Sequence, residues 1–231
     1  MFDQKRKIIL ASKSPRRIEL LTKAGFDVEV VPANIDEVIA PGLAPADVVK
    51  KLALQKASAV RRQLDEKRAN LEKEEICDND IIVAADTIVY LDGIIGKPND
   101  REDAEKMLMY LSGKTHQVYT GVAIIYTGEA KECAGCATCP SGSTSCPSSC
   151  AKKTRKNARY GLVFSERTDV FFKSYTLDEI QDYLDSDEPY DKAGAYAIQG
   201  YFGRFIDHID GDYNNVMGLP VDALIEKLDT L

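Results

Sequence analysis

Ten residues, Ile81 to Tyr90, constrain this chain more than any others: Ile-Ile-Val-Ala-Ala-Asp-Thr-Ile-Val-Tyr. An apolar run of that length, rich in β-branched residues, predicts a strand. Yet Asp86 stands in its middle. A carboxylate there is costly unless it is paired or meets a ligand. Asp86 is therefore a candidate metal ligand or general base. The bland alternative is a bulge or strand end that leaves it merely exposed. Asp92-Gly93 then signals a hairpin turn. Lys97, in the rigid turn Gly96-Lys97-Pro98, either aims an ammonium at an anion or is an ordinary exposed loop lysine.

Around this strand, strand and helix patterns interleave, which predicts an α/β chain with a mixed sheet. Lys7 to Ala11 reads as a buried strand and Asp27 to Val31 as a second one. Between them Ser14 suits an N-cap, Pro15 the first helical position and Gly25 the stop. A long helix begins near Ala46 with Val49, Leu52, Ala53, Val60 and Leu64 as its apolar stripe. From about Arg61 to Glu75 its alternating charges predict a solvated stretch. Asp100 to Leu111 reads as a helix, and Gln117 to Tyr126 and Tyr160 to Ser174 as two long strands. Thr176 with Glu179 forms a capping box. Ala193 to Gln199, Phe202 to Ile209 and Tyr213 to Met217 read as short strands, and Pro220 opens the last helix.

Where the first strand feeds the first helix, the chain reads Ser12-Lys13-Ser14-Pro15-Arg16-Arg17. A helix N-terminus favours an anion through its free N–H groups and dipole. Cations placed there oppose the dipole and make more sense with an anion between them. Arginine adds bidentate, permanently charged contacts to phosphate oxygens. A solvated, capped helix start is the alternative. Lys56, near the apolar side of the long helix, either snorkels or faces a cleft. Glu37, in Ile35-Asp36-Glu37, either adds a second metal carboxylate or is a solvated loop acid. Gln199 could read the edge of a base, with Gly200 allowing close approach. His116 and His208 fit no triad and read as structural.

Composition excludes several classes. The net charge is −7, so the chain has no electrostatic reason to coat nucleic acid or an anionic membrane. No apolar run approaches the roughly 20 residues of a membrane span. The N-terminus lacks a long apolar segment, so a secretory signal is not expected and the expected location is cytoplasmic.

The ordered set of short motifs resembles the Maf-like nucleotide pyrophosphatases. It comprises Leu10-Ala11-Ser12-Lys13-Ser14-Pro15-Arg16-Arg17, Ile35-Asp36-Glu37, Leu52-Ala53-Leu54-Gln55-Lys56-Ala57, Ala85-Asp86-Thr87 and Gly96-Lys97-Pro98. Further along come Ser112-Gly113-Lys114-Thr115-His116, Tyr119-Thr120-Gly121, the stretch from Asp191 to Gly200, and Val216-Met217-Gly218-Leu219-Pro220. The resemblance implies a mixed twisted sheet with flanking helices in two lobes around a cleft, similar to inosine triphosphatases, and a homodimer. It also implies hydrolysis of a nucleoside triphosphate to the monophosphate and pyrophosphate with a divalent metal, Mg²⁺ or Mn²⁺. Asp86 takes the place of the proton acceptor. Arg16, Thr87 and Gln199 match positions linked with substrate choice, in the pattern of the branch acting on dTTP and UTP. Phosphate contacts fall to Ser12, Ser14, Arg16, Arg17, Lys56 and Lys97, and metal contacts to Glu37 and Asp86. House-cleaning of non-canonical nucleotides is a further possibility, as is a retired enzyme that serves as an interaction protein.

One stretch departs from the family pattern. A single domain over residues 1–231 is expected to carry an inserted loop at about 130–157. Five of the six cysteines, Cys133, Cys136, Cys139, Cys146 and Cys150, lie within it, followed by Lys152, Lys153, Arg155 and Lys156. The Cys-x-x-Cys spacing permits zinc, but a second well-separated pair is missing, and a low-complexity loop is the alternative.

Overall fold

The structure, a computed structural model, describes residues 7–35, 42–69, 81–128 and 158–231. Among these, seven strands form one mixed sheet in the order β2-β1-β3-β5-β6-β7, with β4 pairing only with β3. The strands are β1 (Lys7–Leu10), β2 (Asp27–Val30), β3 (Ile81–Tyr90), β4 (Ile94–Ile95), β5 (Thr115–Gly128), β6 (Ala158–Phe172) and β7 (Ile206–Asp210). Pairing is parallel for β2, β1 and β3 and antiparallel from β3 onward. Six helices flank the sheet: α1 (Pro15–Lys23), α2 (Pro45–Ala69), α3 (Arg101–Leu111), α4 (Leu177–Leu184), α5 (Tyr213–Met217) and α6 (Val221–Asp229). The expected mixed α/β class is observed.

The long strands run through apolar cores at their two ends. At one end, Ile8, Leu10, Val83, Ala85, Val122 and Ile124 pack against Leu21 of α1 and Leu224 and Leu228 of α6. On the opposite face there, Ile9, Ile82, Ala84 and Ala123 meet Ala53, Ala57 and Val60 of α2. At the other end, Val89, Val118, Val170 and Phe172 pack with Leu108 and Leu111 of α3 and Ile180 and Leu184 of α4. The alternation of side chains along β3 explains why almost every residue of the run is buried. Between these two ends lies the cleft.

Four sequence expectations are corrected, those for Tyr213 to Met217, Ala193 to Gln199, Phe202 to Ile209 and Arg61. Tyr213 to Met217 is a helix, α5, capped by the Asp212 carboxylate on the Asn214 N–H (2.8 Å) and closed by Gly218 at φ 110°. Ala193 to Gln199 is a 3₁₀ turn (Ala193–Ala195) followed by loop, and Tyr201–Phe205 is a second 3₁₀ turn ahead of β7. Aromatic rings fill the second core here: Phe172 meets Tyr196 at 4.8 Å and Phe202 meets Phe205 at 5.0 Å between centroids. Tight turns deliver those rings inward where an extended strand would send alternate ones outward. Arg61, expected in a solvated stretch, is buried and pairs with Asp65 at 2.7 Å. The insertion at 130–157 and Cys77 lie outside the described residues.

Candidate active site

The cleft has a volume of about 770 Å³. Its first wall is the turn from β1 into α1. Ser14 takes the N-cap position, but its side chain makes no cap bond. Instead the Ser14 N–H donates to Ser12 Oγ at 3.2 Å. Three acceptors converge on the Arg17 guanidinium: Nε donates to the Gly218 carbonyl (2.8 Å), Nη1 to Ser12 Oγ (3.1 Å) and Nη2 to Thr87 Oγ1 (3.1 Å). Arg17 therefore joins α1, β3 and the end of α5. Gly218 is glycine for its backbone: a φ of 110° strains any residue with a Cβ, although the space beside Thr87 Oγ1, 3.4 Å away, would admit one.

The second wall is built on β3 and α2. Asp86 is nearly buried and pairs with the Lys56 ammonium; their side chains are 11% and 14% exposed. An opposite charge at contact is what makes such burial tolerable. Backbone spacing brings the two together. Asp86 lies opposite Gly121 in the β3–β5 ladder. A Cβ on Gly121 would stand 2.3 Å from the Val49 carbonyl carbon, so α2 rests directly on the strand. Val49, Leu52, Ala53, Lys56 and Val60 share one helical face, and Lys56 is the polar member that meets the carboxylate.

The remaining wall comes from the β3–β4 hairpin and the loop after α4. Lys97 lines it, as do Asp191, Lys192, Tyr196 and Gln199. The Gly194 N–H donates to the Gly96 carbonyl at 2.9 Å and ties the two loops together. Lys192 Nζ donates to Asp191 Oδ1 at 2.5 Å and to the Glu188 carbonyl. Partial burial works to raise the Asp191 carboxyl, but Lys192 and then the charge of Arg16 outweigh it and hold it below the usual range. Tyr196 shares a 2.7 Å hydrogen bond with His116 Nε2. Burial lowers the His116 imidazole to about 4, with Asp169 opposing. Neutral and fully buried, His116 is structural, as the sequence suggested.

One cleft thus gathers Ser12, Ser14, Arg16 and Arg17 with Lys56, Asp86, Thr87, Lys97 and Gln199. Glu37 and the cysteine cluster lie outside the described residues. Sequence reasoning missed Asp191, Lys192 and Tyr196 as cleft residues. It also missed Thr120 and Asn215, which are fully buried behind Thr87. A polar residue on a strand facing another polar residue across the ladder was the available signal: Thr87 is paired with Thr120.

Among the described residues no helix is long and apolar enough to cross a membrane. The sequence profile of the family described as "Maf-like protein" matches residues 7–231. A dTTP/UTP pyrophosphatase of Bacillus anthracis is 43% identical over 224 residues, covering 96% of this chain and 94% of that protein. Proteins of the same name from Bacillus cereus and Bacillus thuringiensis subsp. konkukian match with the same identity and coverage. Among solved structures, the Staphylococcus aureus Ham1 protein aligns over 97% of this chain and 99% of its own at 13% identity and a TM-score of 0.43, a likeness too slight to bear on the fold. A profile match over nearly the whole length, together with relatives of this identity and coverage, settles one point: the chain belongs to the Maf-like family.

Proposed function

We propose that this chain hydrolyses pyrimidine nucleoside triphosphates, dTTP and UTP, to the monophosphate and pyrophosphate. The observation that carries the reading is the Asp86–Lys56 pair standing in one cleft with Arg16, Arg17 and Lys97. Hydrolysis of a phosphoanhydride asks mainly for positioning and charge neutralisation. The arginines and Lys97 supply positive charge along the phosphates, and the first-turn N–H groups of α1 have no acceptor within the helix. One oxygen of Asp86 is held by Lys56. Its Oδ2 receives a proton from a water whose oxygen bonds to the α-phosphorus. The bond from that phosphorus to the α–β bridging oxygen breaks, and pyrophosphate leaves in line.

The donor set fits a divalent cation bound largely through substrate. Mg²⁺ commonly takes one or two carboxylates plus phosphate oxygens. Asp86 would hold it, with Glu37 as the expected second carboxylate. Such an ion, Mg²⁺ or Mn²⁺, neutralises charge that develops on the phosphates. Arg16, Thr87 and Gln199 are proposed to govern substrate choice. The acting species is proposed to be a cytoplasmic homodimer, without nucleic acid or membrane partners, in line with the family resemblance and the acidic charge.

The test is a panel of nucleoside triphosphates, purine and pyrimidine, with Mg²⁺, Mn²⁺ or chelator. Pyrophosphate and monophosphate from dTTP and UTP, abolished by chelation, are the expected products. Orthophosphate alone, or equal rates on GTP, would sink the reading.

A further inference from the structure

Behind the cleft a chain of hydroxyls has a fixed direction. Thr120 Oγ1 donates its proton to the Asn215 carbonyl at 2.9 Å. A hydroxyl has one proton to give. The 2.9 Å contact between Thr87 Oγ1 and Thr120 Oγ1 must therefore be donated by Thr87. Arg17 Nη2, at 3.1 Å, can only donate to the Thr87 oxygen. Thr87 is left with its proton turned into the core and a lone pair towards the cleft that it lines.

The carbonyl that starts the chain is itself immobilised. The Asn215 side-chain amide donates to the Val118 carbonyl (3.1 Å) and to Thr168 Oγ1 (3.0 Å). Thr168 in turn donates to the Asp212 carbonyl at 2.9 Å. Two threonines, on β5 and β6, thus pin α5 from below. Thr120 and Asn215 are both fully buried, and neither lines the cleft.

We infer that Thr120 and Asn215 are positioning residues that make Thr87 an obligate hydrogen-bond acceptor, so that the cleft selects a ligand bearing an N–H or O–H donor at that point. This rests on the reading of the cleft as a pyrimidine nucleotide site. Thymidine and uridine triphosphates share two such donors that Thr87 could meet, the base N3–H and the sugar 3′-hydroxyl. A lone pair fixed in this way rejects a ligand that offers only another acceptor, because two facing acceptors are left unpaired.

The test uses KM and kcat for UTP in wild type, Thr120→Val, Thr120→Ser, Thr87→Val and the Val/Val double variant. Thr120→Val keeps the shape but removes the acceptor for the Thr87 proton. It should raise KM about fivefold to tenfold, the scale of one neutral hydrogen bond, with kcat nearly unchanged. Thr120→Ser should restore KM. In the Thr87→Val background, Thr120→Val should add nothing. A normal KM in Thr120→Val, failure of the serine to restore it, or an equal increment in the Thr87→Val background overturns the inference. A second arm needs no Thr120 variant. Wild type should discriminate against either N3-methyl-UTP or 3′-deoxy-UTP, which identifies the donor as base or sugar, and Thr87→Val should erase that difference. Equal use of UTP and both analogues by wild type overturns the inference too. Absence of UTP turnover and of UTP binding in wild type overturns the functional reading itself, and with it the inference.

Discussion

Asp86 and Thr87 are neighbours on β3, yet they face opposite sides of the sheet into different chemistry. On one face a full negative charge meets a full positive one, Asp86 with Lys56, and the partner arrives on a helix. On the other, Thr87 ends a series of neutral hydrogen bonds running through Thr120 to Asn215, with Arg17 as its only charged member. Charge pairs are strong but weakly directional, whereas hydrogen bonds are modest and fix orientation. On the proposed reading, the comparison teaches a division of labour within two residues: one face drives the reaction and the other selects what is bound.

The largest expected effect breaks the ionic face. Asp86→Asn keeps the shape but removes charge and basicity. Turnover of UTP should fall by at least about 100-fold, the scale of a lost general base, with the fold intact by circular dichroism. Near-normal pyrophosphate release would remove Asp86 from the chemistry. Replacing the partner instead tests stability. Lys56→Met leaves the carboxylate buried and unpaired, and urea denaturation should show a loss of about 3 kcal/mol. An unchanged midpoint would mean that Asp86 finds water or another cation.

A buried titrating group in the aromatic core, behind the cleft residue Tyr196, tests stability separately. His116 sits near pKa 4 in the fold and near 6.5 when unfolded. Between those values the unfolded chain binds more protons, so stability falls as pH is lowered from about 6.5 towards 4. The slope approaches about 1.4 kcal/mol per pH unit. His116→Gln should flatten that part of the profile, and an unchanged slope would place its origin elsewhere.

Smaller effects sharpen the selective side. Gln199→Glu should change the preference for UTP over GTP by about tenfold, comparable to one base-edge contact. An untouched ranking would show that Gln199 does not read the base. The smallest effect is expected outside both faces. Replacing residues 130–157 with a short glycine-containing turn should leave UTP hydrolysis within about threefold, since loop-closure cost changes slowly with length. The paired ends Gly128 and Ala158 lie ten residues along β5 from Val118, the β5 residue that lines the cleft. At about 3.4 Å per residue that is roughly 30 Å. Abolished turnover in a folded deletion variant would show that the insertion reaches the cleft.

Much of this was legible in the sequence because the signals are local. The β3 run, the β1–α1 turn and the capping box each lie within a few residues. Asp86 advertised itself by being costly where it stood. Its pairing with Lys56 was not legible, since that depends on how α2 registers against β5 across some 65 residues of chain. Short apolar segments misled for a related reason. Tyr213 to Met217 and Ala193 to Gln199 are too short for periodicity to separate strand from turn. The Asp212 cap and the glycine at 218 were the better guides to α5. Asp191 escaped notice because an acid in a loop is ordinarily solvated; only the fold brings the charge of Arg16 to bear on it.

The bare backbone of Gly121 acts as a pivot. Helix α2 touches β5 there at Val49, and Lys56 rides seven residues further out, a lever of roughly 10 Å. A single added methyl at the pivot, 2.3 Å from the Val49 carbonyl carbon, would lift the helix and swing the ammonium off Asp86. The alignment of the ionic pair is thus set by a residue that has no side chain, lies off the cleft lining and would be invisible to any search for reactive groups.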